Sequence, residues 1–319
     1  MAAGPAALTC MATLVFLLKR FVAQRLLGLA IVVTLAFTVG VLVAGPIYAD
    51  AAREAIFSSA IRTSPVNVVN ARFAVYGDPG FDAAGVDAEV RDATAALPLS
   101  RLISQGRGTV RLAAAGSPGA PLSITVLFRD GAVDHVPYRG RPPGPGQIAL
   151  PQAIARVLGV GRDDRVTILG PTDETATLTV AGTFDRPEPA DNDYWYGGQS
   201  PFPAADQRAP GVLGVAGALP PLLMERNAYL ETIPRLDVTT EYVWDAYLDY
   251  RGLAFARGAS LPGRISQIDA ELHGDPELST LKVTTGLPTL MELVRQRISR
   301  LRVPILLVVF QIGAVTLAV

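Results

Sequence analysis

Residues 26–47 form a run of 22 residues without one charged side chain. As a helix rising ~1.5 Å per residue, such a run is about 33 Å long, enough to cross a hydrocarbon layer of ~30 Å. A helix apolar on every side has no place on the surface of a soluble domain. The apolar region of a secretory signal spans only ~7–15 residues. Although Ala49, Asp50 and Ala51 resemble a cleavage site, the run reads as an uncleaved anchor.

A second charge-free run occupies residues 303–319, 17 positions. At about 25 Å it is at the short limit for a crossing. It stops without a polar flank, so the chain is expected to be a fragment that continues into further spans. A C-terminal hydrophobic tail is the other reading, and the first run makes it the lesser one. Lys19, Arg20 and Arg25 precede the first run, whereas Arg53 follows it together with Asp50 and Glu54. The positive-inside rule then puts residues 1–25 in the cytoplasm and residues 48–302 outside. Arg295, Arg297, Arg300 and Arg302 lie on the outer side, against the rule, which weakens for long loops. Within the first span Ala36, Gly40 and Ala44 recur every four residues, a small-residue stripe on which another span could pack closely.

The 255 residues between the runs carry 25 of the 28 basic residues and all 29 acidic ones, a net of −4. That balance leaves no footprint for nucleic acid. The whole chain is 50% hydrophobic and 18% charged, with a mean hydropathy of +0.32, which excludes a disordered chain. Cys10 is the one cysteine and His135 and His273 the two histidines, so neither a disulfide nor a convincing metal site is expected. There is no P-loop, no G-x-S-x-G and no H-E-x-x-H. No catalytic, cofactor-binding or metal residue is expected, and the chain is read as a non-enzyme without a cofactor.

The outer region alternates strand and helix signals. Residues 48–64 extend the first span as a stalk that ends before Ser64-Pro65, since proline disfavours helix in the residue before it. Val66, Val68, Val69, Phe73 and Val75 predict a strand, Asp82 caps a helix reaching about Ala96, and strands follow at 108–113 and 122–128. Residues 146–170 read as strand, helix and strand: a strand at 147–150, Pro151 in the first turn of a helix, Ala153, Ile154, Val157 and Leu158 on its face, and Gly159 ending it. Leu178, Val180 and Phe184 mark the next strand, with Gly182 as a bulge. Residues 209–224 lack charges but are broken by prolines and glycines, and read as a loop leading into a buried strand at 222–224. A short helix at 225–233, a strand at 239–250 with Tyr242, Trp244, Tyr247 and Tyr250, a helix at 261–272 and a strand at 281–285 complete the region. Leu287, Leu290, Val294, Ile298, Leu301 and Ile305 recur at 3- and 4-residue spacings, the seam of a second stalk at 287–302.

Asp185, Glu188, Asp191 and Asp193 gather around Arg186, Pro187 and Pro189. The prolines make this a solvated acidic loop rather than a calcium loop. The neighbouring Tyr194-Trp195-Tyr196 reads as a pin holding that loop to the domain, with docking of a ligand or lipid as the other reading.

Three stretches, GQIALPQAIARVLGV followed by DDRVTILG (146–170), TLTVAGTFDRPEPADNDYW (177–195) and TTGLPTLMELVRQRISRLRVPILLVVFQIGAV (284–315), resemble the FtsX-like permease family of ABC transporters. The likeness is to its actinobacterial branch, with a MacB-like extracytoplasmic core domain. Asp163-Asp164 stands where Gly-Asp is usual. The resemblance implies a membrane protein: two transmembrane helices flanking a large α+β extracytoplasmic domain, residues 65–286, on helical stalks. It implies the permease subunit of an ABC transporter in the cell membrane, moving a lipid, lipoprotein, peptide or drug. Its partners would be a cytoplasmic ABC ATPase subunit, a second permease copy or homologous subunit, and membrane lipid. The alternative is a two-span sensor with an extracytoplasmic ligand-binding domain.

Overall fold

The computed structural model describes residues 19–20, 25–116, 120–185, 193–197, 201–202 and 219–300. The second apolar run, with Leu301 and Ile305 of the stalk seam, lies outside them. Of the described residues, those up to Ser59 and from Glu292 onward form one compact unit, and Ala60–Met291 the other.

Helix α1 (Arg25–Thr63) is a single element of 39 residues, most of it in the first unit, with its last residues, 60–63, in the second. The charge-free run and the stalk segment belong to this one helix. Pro46 lies inside it and removes one N–H from the ladder. Among the described residues it contains the one helix long and apolar enough to cross a membrane.

The second unit is built on ten strands in the order β10-β1-β9-β2-β3-β8-β5-β7-β4, with β6 pairing both β2 and β7. They are β1 (Ala71–Gly77), β2 (Leu99–Ala114), β3 (Leu122–Arg129), β4 (Tyr138–Gly140), β5 (Gln147–Pro151), β6 (Arg165–Leu169), β7 (Thr175–Phe184), β8 (Leu222–Met224), β9 (Thr240–Leu248) and β10 (Lys282–Thr285). Because β6 closes on β2, the strands β2, β3, β8, β5, β7 and β6 form a ring. Leu112, Val126, Ile148, Val166, Ile168 and Val180 on that ring are fully buried. The length of β2 allows this. Its N-terminal half pairs with β9 in the open sheet, and its last residues, Arg111 to Ala114, pair with β6.

The second unit holds helices α2 (Ala83–Thr94), α3 (Gln152–Leu158), α4 (Arg226–Thr232) and α5 (Leu261–Leu272), besides two single turns, and residues 287–300 form a sixth, α6, which starts in this unit and runs into the first. Asp82 caps α2 as expected, its carboxylate accepting from the Gly85 N–H at 3.0 Å. α5 buries Leu261, Ile265, Ile268 and Leu272 on one face. Leu287, Leu290, Val294 and Ile298 of the second stalk seam are all buried in α6.

Several local expectations need correction. Val66–Val69 is one turn of helix, and the strand starts only at Ala71. Asn70 makes the switch: its amide donates back to the Val66 carbonyl at 2.8 Å, and its side-chain oxygen accepts from the Leu248 N–H at 2.8 Å. β2 begins at Leu99, well before the expected start at Gly108, because Ser104 and Gln105 are buried with partners of their own. In α3, Pro151 is the capping residue rather than the first helical one. Its buried residues are Ile154 and Ala155, while Ala153 and Val157 face out, because two turns of helix pack one narrow side on β5 and β7. The bulge lies where expected. The β5–β7 register jumps between Ile148 and Ala149, skipping Ala181 just before Gly182. A Cβ on Gly182 would sit 2.6 Å from the Arg139 carbonyl oxygen, so the β4 backbone needs glycine there.

Candidate functional site

Among the described residues no three His, Cys, Asp or Glu side chains come together as metal ligands. His135 stacks on the Tyr194 ring at 3.6 Å, and the His273 ring lies 2.7 Å from the Asp269 carbonyl. The features that bear on function are an exposed apolar helix, the point where two helices join the sheet, and two buried charge clusters.

Along α1, Leu29, Ile31, Val32, Val33, Leu35, Val39, Val43 and Ile47 are all exposed. Ala36, Gly40 and Ala44 fall within this stretch. Ala36 and Gly40 are exposed, and nothing lies within 4 Å of a Cβ built on Gly40. Transfer of apolar surface out of water is favourable by roughly 25 cal/mol per Å², so a belt of this kind needs a cover.

The chain leaves α1 through Ser64-Pro65 and one turn of helix into β1, and it enters α6 from β10. These two strands are antiparallel neighbours, with Ala71 opposite Thr285. Gly286, at the start of α6, packs so tightly on the turn that a Cβ there would meet the Val68 Cα at 2.9 Å. The Tyr250 hydroxyl donates to the Val69 carbonyl, tying the same turn to the end of β9. Both helices are therefore rooted at one edge of one sheet.

Asp245, fully buried in β9, anchors the first charge cluster. Register places Arg72 of β1 directly opposite it, and Arg72 grips both carboxylate oxygens, at 2.6 and 3.0 Å. Arg129, at the end of β3, reaches the same carboxylate at 2.8 Å and Gln105 at 3.1 Å. Residues 194–196 cover this cluster. Tyr194, Trp195 and Tyr196 are 2%, 3% and 1% exposed, so the aromatic run pins its segment to the domain as expected. The Tyr247 hydroxyl donates to the carbonyl of Asp193 at 2.6 Å. Of the acidic loop, Asp185 pairs with Arg139 at 2.7 Å, while Glu188 and Asp191 lie outside the described residues.

The second cluster lies on the opposite face of the sheet, under α2. The Asp87 carboxylate accepts from Arg91 at 2.7 Å, Ser104 at 2.7 Å, the Trp244 indole at 2.9 Å, and Arg226 of α4. Asp130 joins it through Arg91 at 3.0 Å. Burial pushes the Asp87 carboxyl up, but hydrogen bonds from Arg91, Ser104 and Trp244 and the Arg226 charge outweigh it and hold the group below its ordinary value of 3.8. The notch beside Asp87 and Arg226 has no interior large enough for a water molecule. Arg72, Asp87, Arg129 and Asp245 do not stand out in the sequence as members of one site. The signal available was a charge in the middle of an aromatic-rich strand, TEYVWDAYL (Thr240–Leu248), where Asp245 follows Val243 and Trp244 and precedes Ala246.

No family model matches the sequence, and no curated protein matches it. Solved structures similar to it include the periplasmic region of MacB from Actinobacillus actinomycetemcomitans, at 8% identity and a TM-score of 0.39, over 73% of this chain and 94% of that one. The extracellular domain of the ABC-type transporter YknZ from Gram-positive bacteria is similar at 10% identity and a TM-score of 0.39, over 68% of this chain and 100% of that one. A permease-protein domain from Porphyromonas gingivalis is similar at 10% identity and a TM-score of 0.35, over 69% and 90%.

Asp245→Asn leaves two arginines sharing no carboxylate and is expected to cost ~3–5 kcal/mol, read from the denaturant midpoint of the full chain. Asp87 titrates below its unfolded value, so its stabilisation is present above about pH 4 and is lost as pH falls through the folded value. Asp87→Asn should lower stability at neutral pH by about 1–3 kcal/mol. It should also flatten the acid limb of the stability–pH curve relative to wild type.

Proposed function

We propose that this chain is the permease subunit of an ABC transporter, with α1 crossing the membrane and the Ala60–Met291 unit outside it. ATP would be hydrolysed by a separate cytoplasmic subunit, and the chain itself would do no chemistry. Its task is to carry motion from the membrane to the outer domain, for export or extraction of a lipid, lipoprotein, peptide or drug. The observation that carries this reading is the continuity of α1. The exposed apolar belt and the stalk are one helix that ends on the β1–β10 edge. At ~1.5 Å per residue its 39 residues extend about 58 Å, roughly twice the hydrocarbon thickness. A displacement of the belt would therefore be carried toward the sheet along one helix, whose ladder lacks only the hydrogen bond removed at Pro46. The likeness of residues 146–170, 177–195 and 284–315 to the FtsX-like permeases supports the same role.

Ala52→Pro tests the coupling. Proline in a helix interior removes a hydrogen bond and clashes with the preceding turn, costing ~3 kcal/mol. In the complete transporter, the ATPase subunit should still co-purify while substrate-stimulated ATP turnover falls by about tenfold or more. Undiminished stimulation would remove the coupling role. Recovery of the wild-type protein with a signalling module and no ATPase would favour the two-span sensor. Ala36, Gly40 and Ala44 are proposed to seat another span. Gly40→Leu should lower recovery of the assembled complex in detergent more than Leu35→Ala does, and equal recovery of the two would mean that the stripe has no packing role.

A further inference from the structure

Residues 193–197 lie over the Asp245 cluster as a strap. The Tyr247 hydroxyl is within hydrogen-bond reach of the carbonyls of Asp193 and Tyr194, at 2.6 and 3.0 Å. Arg129 Nη2 donates to the Tyr194 carbonyl, and the Tyr194 hydroxyl donates to the Asp130 carbonyl at 2.9 Å. The Tyr196 ring meets the Tyr247 ring edge-on at 5.9 Å and lies 4.2 Å from the Arg72 guanidinium carbon. Gly197, at φ 69°, sits against the turn at Val66–Val69, where a Cβ built on it would stand 3.3 Å from Asn67 Oδ1 and 3.5 Å from the Asn67 nitrogen. Val66 of the same turn packs on the aromatic cluster. The strap therefore rests on the residues through which α1 passes into β1: Val66 and Asn67 of the turn and Arg72 of the strand.

Its closed state is imperfectly satisfied. Tyr196 has φ 52°, a left-handed conformation that bulky side chains rarely take. The Tyr196 hydroxyl, the Trp195 indole N–H and Arg129 Nε are buried without hydrogen-bond partners. Opening returns these groups to water and lets Tyr196 leave the left-handed region, whereas closure buries three rings. Terms opposed in this way bring two states close in free energy, so a small shift in what the strap rests on moves its population.

We propose that residues 193–197 are a latch with a closed and an open state, and that the turn at Val66–Val69 sets the balance between them. Displacing the turn withdraws the support under Tyr196 and Gly197, and the strap opens. Opening brings Trp195 to the surface and bares an apolar seat lined by Ile103, Leu127 and Val136. Coupling at equilibrium is reciprocal, so loosening the strap loosens the turn by the same factor. As the outlet of a transport stroke the latch rests on the coupling role proposed above. The link between turn and strap does not, and the experiment reads that link in the chain alone.

Acrylamide quenching of the full chain in neutral detergent reports the exposure of Trp195, and Trp195→Phe supplies the background from Trp244, the other tryptophan. Pro65→Gly loosens the turn from the stalk side, where the Pro65 carbonyl accepts from the Val68 N–H at 2.9 Å. Asn70→Ala removes the side-chain bonds that tie the turn to Val66 and Leu248. Each should raise Trp195 quenching about twofold or more. Leu272→Ala lowers stability from the buried face of α5 and should leave Trp195 at its wild-type exposure. In the reverse direction, Tyr196→Ala should speed deuterium exchange at the Val68 and Val69 amides about tenfold, while the β6 amides keep their rate. Unchanged quenching in Pro65→Gly, an equal rise in Leu272→Ala, or unchanged exchange at Val68 and Val69 in Tyr196→Ala would each overturn the proposal. If Asn70→Ala does not fold, Pro65→Gly and Tyr196→Ala decide. A latch that responds in this way, beside undiminished ATPase stimulation in Ala52→Pro, would remove the coupling role and leave the latch standing.

Discussion

A carboxylate withdrawn wholly from water costs several kcal/mol unless cations and donors surround it. Asp245 meets that demand with an arginine from each side of its strand, and the arrangement of the domain follows from it. Only one register sets Arg72 of β1 against Asp245 of β9 while Gln105 of β2 stands opposite Arg129 of β3. A slip by one residue would turn each of these charges to the other face of the sheet. That other face is governed by Asp87, which gathers Arg91 of its own helix, Ser104 of β2, Trp244 of β9 and Arg226 of α4. Two acidic side chains, one above and one below the sheet, thus fix the strand register and the seat of the helices.

Elements with local determinants were legible in the sequence. The Asp82 cap, the stop at Gly159 in the left-handed conformation, the break at Ser64-Pro65 and the periodic face of α5 all depend on neighbours within one or two turns. The pinning role of Tyr194, Trp195 and Tyr196 was also readable, since three adjacent aromatics rarely stay in water. Long-range pairing hid the rest. The first half of β2 has no alternation to read because Ser104 and Gln105 are buried and satisfied by Asp87 and Arg129, far away in sequence. Strand β9 is buried along nearly its whole length, so its period of two disappears. The closure of six strands into a ring rests on β6 meeting β2, which no local pattern encodes.

The ring also bears on how the Ala60–Met291 unit would respond to a pull. β2 is common to the ring and the open sheet, so neither can shear without distorting a 16-residue strand hydrogen-bonded on both sides. Under the proposed coupling role, a force arriving at the β1–β10 edge is therefore passed on through β9 and β2 as movement of a body, and little of it is absorbed as internal deformation.

The place of β1 has a consequence for biosynthesis. It is the first strand to be made, yet its two neighbours are β9 and β10, the last two, and Ala71 pairs with Thr285 across 214 positions of chain. Closing a loop of that length costs about 5 kcal/mol of chain entropy, and the return comes only after the final strand has emerged. Until β9 has been made, β1 has both edges open and Arg72 lacks its Asp245 partner. A ribosome paused anywhere before codon 240 would hold a nascent chain whose first strand can pair only with the wrong partner or with a chaperone. The order of synthesis and the order of the sheet are opposed here, and folding of this unit waits until β10 has been made.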